Sequence, residues 1–134
     1  MRLKMFPPLG VLVLVVLMQL GCGKRDLPAG SDKRLFSSAE WKTEHSSDWR
    51  ESGVSVREEM LHDLVTRILP GKTRAEIGDL LGSSLVTPYF RSINKDLIYY
   101  LGPERGSAAN IDSEWLLIWL DSAGRYRHYR IAID

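Results

Sequence analysis

The chain has 134 residues, of which 18 are Lys or Arg and 17 are Asp or Glu, so its formal charge is +1. The two signs are interspersed, which excludes the basic stripe of a nucleic-acid binder and the polybasic patch that binds anionic lipid. A single cysteine excludes an internal disulfide. The length is one domain's worth, enough for one modest core held by packing alone.

The N-terminus places Arg2 and Lys4 before an almost wholly apolar run, residues 9–20, followed by the small residue Gly21 and then Cys22. Basic, apolar and small in that order is a secretory signal. A membrane-spanning helix needs about 20 apolar residues, and this run is shorter, with Pro7 and Pro8 at its start. The segment Met18-Gln19-Leu20-Gly21-Cys22 resembles the lipobox of bacterial lipoproteins. That resemblance implies a cleaved signal over residues 1–21 and lipidation of Cys22, with a thioether diacylglyceryl group and an acyl chain, such as palmitate, on the new amine. Loss of Arg2 and Lys4 takes the charge from +1 to −1. Residues 22–50 are expected to form the lipidated N-terminus and tether, and residues 51–134 the domain. Residues 23–38 hold little to bury and are expected to be flexible. Phe36, Trp41 and Trp49 interrupt this polar stretch; they either fold back onto the domain or form an exposed aromatic anchor.

Ser55-Val56-Arg57-Glu58 is a capping box that opens a helix over residues 56–69. Leu61, Leu64, Val65 and Ile68 make its apolar stripe, and Arg57, Glu58, Glu59, Asp63 and Arg67 are expected on its solvated face. Pro70-Gly71 ends it. Thr73-Arg74-Ala75-Glu76 is a second capping box for a shorter helix that closes at Gly82. Residues 85–93 are ambiguous, since Pro88 argues against a central strand.

The period then changes to two. Residues 96–101 read as a strand with Leu97, Tyr99 and Leu101 on one face, followed by loop chemistry over residues 102–107. Residues 114–120, with Trp115 and Trp119 on one side, are expected to be the central strand. Asp121-Ser122-Ala123-Gly124 reads as a hairpin turn. Residues 125–133 close the sheet, with Tyr129, Ile131 and Ile133 on one face and Tyr126, His128, Arg130 and Ala132 on the other. The expected fold is α+β: a helical hairpin packed on a three-stranded antiparallel β-meander in two layers.

The stretch from Leu69-Pro70-Gly71-Lys72-Thr73 through Leu80-Leu81-Gly82, together with Leu116-Leu117-Ile118-Trp119-Leu120-Asp121-Ser122-Ala123-Gly124, resembles the SmpA/OmlA (BamE-like) family of small outer-membrane lipoproteins. Lys72 stands where that family has Met, and Ser83-Ser84 where it has Pro. The resemblance implies a scaffold subunit of an outer-membrane assembly that faces the periplasm. It also implies attachment to the membrane through the lipid, and another envelope protein or complex as partner. The same α+β unit resembles secreted inhibitor domains, so a binder of an envelope enzyme is the alternative.

Chemistry is sparse. Gly71-Lys72-Thr73 lacks the upstream Gly and strand of a phosphate loop. His45, His62 and His128 show no metal-ligand spacing. Of the carboxylates Asp112, Glu114 and Asp121, nothing places two around a cleft, and Asp112 and Asp121 suit turns better than an acid/base pair; no Ser has an elbow context. No enzyme, metal, cofactor beyond the covalent lipid, nucleic acid or small-molecule substrate is expected. Exposed sheet edges invite strand addition. Tyr89, Phe90, Arg91 and Arg105 are the candidate partner contacts, on the segment 87–91 and the long loop 102–112.

Overall fold

The computed structural model describes residues 27–105 and 112–134. The signal, Cys22 and loop residues 106–111 lie outside these residues. The described chain is α+β. In order it runs through α1 (Ser38–Trp41), α2 (Val56–Glu59), α3 (Leu61–Asp63), a π-helical turn (Leu64–Ile68), α4 (Arg74–Leu81), β1 (Leu97–Pro103), β2 (Ser113–Leu120) and β3 (Tyr126–Ile133). The strands form one antiparallel sheet in the order β1-β2-β3.

Both capping boxes form. Ser55 accepts from Glu58 N–H while Glu58 accepts from the Ser55 backbone; Thr73 and Glu76 do the same for α4. The helix expected over residues 56–69 is not a uniform α-helix. Its second half widens to a π turn, in which Leu69 N–H donates to Leu64 O at 2.8 Å. A π turn adds a residue to the turn and rotates the face that follows. Leu61, Leu64 and Leu69 are nonetheless all fully buried.

The period-two reading of the sheet holds for β1 and β2. Leu97, Tyr99 and Leu101 join Leu116 and Ile118 in one cluster with helical residues Leu61, Leu64, Ile77 and Leu81. Ile98, Trp115, Leu117 and Ala132 form a second cluster on the opposite sheet face. Two details differ from expectation, and one ambiguous segment is resolved. β1 continues through Gly102 and Pro103, with an irregularity between Tyr100 and Gly102. Tyr126 packs with Tyr129 and Ile131 against the first cluster, because the register slips between Leu120↔Tyr126 and Trp119↔His128. A bulge of this kind inserts one residue and flips the alternation on one side of it. Residues 85–93 form no strand; Leu85 N–H makes one bond to Ile98 O at 3.0 Å.

The largest departure lies at the N-terminal side. Residues 27–50, expected as tether, pack on the domain over much of their described length. Successive turns fold residues 28–33, where Ser31 N–H donates to Pro28 O and Lys33 N–H to Gly30 O. Arg34 N–H then donates to Glu59 O, and His62 N–H to Ser31 O. Phe36 packs on the first cluster, and Trp41 is fully buried within it. Trp49 remains 48% exposed. Arg57, Glu58, Glu59 and Asp63 are accordingly not on a solvated face, because the wrap covers Arg57, Glu59 and Asp63 and the strand ends cover Glu58. Glu58 and Asp63 are buried, and Glu59 is bonded to Arg34 Nε at 2.5 Å. Asp63 accepts from Phe36 N–H at 2.7 Å and from Arg67, which holds its carboxyl below the usual range.

Trp41 is held by its polar edge as well as its rings. Its indole N–H donates to Leu81 O at 3.2 Å, and the Arg57 guanidinium lies 4.9 Å from the ring centroid. Arg57 also donates to Trp41 O and Tyr100 O, joining the wrap to β1. Trp41→Ala is expected to cost about 3–5 kcal/mol of stability, the range for emptying a large aromatic site. Trp49→Ala should cost less than about 0.5 kcal/mol, as for exposed substitutions. Urea unfolding of the two variants checks this; equal losses would contradict the buried role of Trp41.

Candidate functional site

The strongest concentration of charge in the interior sits where β1, β2 and the start of α2 meet. Strand alternation puts Glu114 on the same face as Leu116 and Ile118, so it points into the core; it is 1% exposed. Glu58 arrives from the capping box above it and is 0% exposed. The two acids meet because position 102, paired with Glu114, is glycine. A Cβ there would lie 2.8 Å from Ser47 O and 3.1 Å from Glu58 Oε1, and φ at Gly102 is +153°. No side chain fits that approach.

Arg105 supplies the cation. Its Nε donates to Glu114 Oε1 at 2.8 Å and Oε2 at 3.0 Å, and its backbone N–H donates to Oε1 at 3.2 Å. The same Nε lies 3.7 Å from Glu58 Oε2. Glu58 Oε1 accepts from Ser55 N–H at 3.2 Å, whereas Oε2 is buried and accepts no hydrogen bond. An ionised oxygen left so would be costly. Burial first, and the Glu114 charge second, push the Glu58 carboxyl up to about 8. At neutral pH Glu58 therefore keeps its proton beside Glu114. One proton and one guanidinium balance two carboxyls, so the cluster is neutral. A carboxyl pushed up beside a second one is a usual ingredient of acid/base catalysis. Here both are withdrawn from solvent and lie against Arg105 where the strand ends meet α2.

The expected partner contacts separate into two groups. Arg105 is tied to Glu114 in the buried cluster, with its side chain 33% exposed. Tyr89 and Phe90 lie over the second cluster: the rings of Tyr89 and Phe90 are 5.9 and 6.5 Å from that of Trp115. Tyr89 is 48% exposed, Phe90 is half-buried, and Arg91 is exposed. Phe90 has φ +61°, a strained value for a bulky residue, and its T-shaped packing on Trp115 holds it there. Trp119 and His128 extend this face as a parallel stack at 4.7 Å.

The remaining candidates are structural in placement. Thr73 caps α4, and Lys72 N–H closes a turn onto Leu69 O. Asp112 O accepts from Glu104 N–H. Asp121 Oδ1 accepts from Ala123 and Arg125 N–H in the hairpin, where Gly124 has φ +77°. His45 lies in a turn, His62 in α3 and His128 in β3, and among the described residues no group of three His, Cys, Asp or Glu side chains is placed to hold a metal ion. Cys22 lies outside the described residues. Sequence marks Glu58 as a capping residue on a solvated helix face, and burial makes it part of the cluster instead. The signal that marks the cluster is an acid, Glu114, on the core-facing register of the most apolar strand.

Comparison with protein-family models, with curated proteins and with solved structures gives no match.

The Glu58 shift has a definite sign. Its folded value is raised above the ordinary 4.5, so between about pH 5 and pH 8 the folded state holds a proton that the unfolded chain has released. Stability should therefore fall as pH rises through this window, at up to about 1.4 kcal/mol per pH unit. Glu58→Gln, which stays neutral, should remove that part of the slope. Urea unfolding across the window checks it; parallel profiles for the two proteins would contradict a protonated Glu58.

Proposed function

We propose that the protein is a non-catalytic lipoprotein of the bacterial envelope, anchored through lipid on Cys22 and acting as an interaction or scaffold subunit. The site favoured for the partner is the sheet face away from α4. The observation that carries this reading is the aromatic surface there: exposed Tyr89 over Trp115, continued by the Trp119–His128 stack and bordered by exposed Arg91 and Arg130. Tyr, Trp and Arg are the residue types that dominate binding energy at protein interfaces. β3 also has no neighbouring strand on its outer side among the described residues, which leaves an edge for strand addition.

The finer architecture belongs to the same reading. The segments 56–68 and 74–81 are taken as a helical hairpin on one sheet face, a two-layer domain like that of the SmpA/OmlA family. The basic, apolar, Leu-Gly-Cys order supports export and outer-membrane attachment facing the periplasm. The inward, solvent-free placement of Glu58 and Glu114 supports a structural use of the acids. No helix among the described residues is long and apolar enough to cross a membrane, so attachment in this reading comes from the acyl chains; two or more give stable anchoring.

Affinity purification of the tagged protein from its native membranes, with crosslinking, tests the proposal. Tyr89→Ala with Arg91→Ala is expected to lose most of the co-purifying envelope protein while leaving the urea midpoint unchanged. Cys22→Ala should move the protein to the soluble fraction. Undiminished partner recovery in the double variant would contradict the assigned surface, and a single soluble enzyme as the partner would favour the inhibitor alternative.

A further inference from the structure

The point at which the packed chain begins limits how far the domain can stand from its anchor. Leu27 is packed on the first cluster and Pro28 is buried, and five peptide steps separate Cys22 from Leu27. In any conformation these span no more than about 18 Å. A domain of this size is about 30 Å across. The leash is shorter than the body it holds, and the end of the domain that carries Leu27 cannot leave the neighbourhood of the lipid.

That end has a suitable surface. Two turns project residues 28–33 from α2 and α3, and Leu35 emerges 76% exposed between Arg34 and Phe36, whose backbone N–H groups are both tied down. Leu35 is thus an apolar side chain on a fixed backbone. Lys33 beside it is exposed and long enough to keep its amine in the headgroup layer. His62 and Thr66, one turn apart, are exposed on the helical stretch against which Ser31 is bonded.

We infer that the wrap around Leu35, with Lys33 and His62, is a bilayer-contact surface held against the lipid by the short leash, so that the opposite sheet face points away from the membrane. The occupant is the bilayer that holds the protein's own acyl chains. The inference rests on the lipid-anchor reading of Cys22. It adds an orientation to that reading: Tyr89, Trp119 and Arg130 face the aqueous compartment, where a partner reaches them.

The sole native cysteine simplifies the test, because once Cys22 is acylated an introduced thiol is the only free one. Leu35→Cys and Arg130→Cys, labelled with bimane in the full-length protein, are reconstituted into phosphatidylethanolamine/phosphatidylglycerol vesicles containing headgroup-nitroxide lipid. Mass spectrometry first establishes whether Cys22 is acylated. The expected result is loss of most fluorescence at position 35 and little loss at position 130. Insertion of about 20 Gly/Ser residues after Asp26, with an added r.m.s. reach of about 25 Å, should restore the signal at position 35 without releasing the protein. Equal quenching at the two positions, or quenching at position 35 that ignores the spacer, overturns the orientation while leaving the anchor intact. An unmodified Cys22 overturns the anchor reading and the orientation with it.

Discussion

Trp41 is the point through which the rest of the structure is connected. Its ring is fully buried, with Phe36 at 6.2 Å and Tyr99 at 6.4 Å between centroids. Its indole N–H takes up the Leu81 carbonyl at the end of α4, and its own carbonyl accepts from Arg57 and from the Ser46 hydroxyl. One residue thus joins the N-terminal wrap, both capped helices and β1. A large aromatic can do this because it contributes wide apolar area together with one directional donor. With Trp41 seated, the backbone that precedes it is close enough to α2 and α3 for Ser31, Arg34 and Phe36 to complete their bonds.

The wrap changes what the acids of the first helix do. A helix face bearing Glu58, Glu59 and Asp63 would ordinarily face water. Here Arg34 and Arg67 compensate two of these carboxylates, and Glu58 remains neutral by holding a proton. The buried cluster of Glu58, Glu114 and Arg105 fixes the approach of the strand ends to α2 at a position where only glycine fits. Such a cluster is a weak source of net stability compared with apolar packing, and its contribution here is to set which strand ends meet which helix end.

Much of this was legible in the sequence wherever a short-range rule decides the outcome. Ser55-Glu58 and Thr73-Glu76 formed the boxes their spacing implies, the Asp121–Gly124 turn formed with positive φ at Gly124, and alternation correctly divided β1 and β2 into two faces. Long-range contacts escaped the reading. Composition alone marked residues 23–38 as tether, because nothing local shows that Glu59 and Asp63 wait for Arg34 and the Phe36 amide. The bulge that turns Tyr126 inward depends on pairing with Trp119 and Leu120, and Arg105 looked like a loop cation because its partner Glu114 is nine residues away across the β1–β2 connection. Tyr89, Phe90 and Arg91 were correctly placed on one segment, but their position over Trp115 follows from a path without regular structure.

The whole fold rests on the wrap being part of the domain. Hydrogen exchange of the full-length protein, followed by mass spectrometry at peptide resolution, measures this without altering a residue. The amides of Arg34, Phe36 and Trp41 are predicted to exchange as slowly as those of the central strand β2, through the same global opening. Exchange of these amides within the first time point, with β2 still protected, would show a loose N-terminal arm in place of a packed wrap.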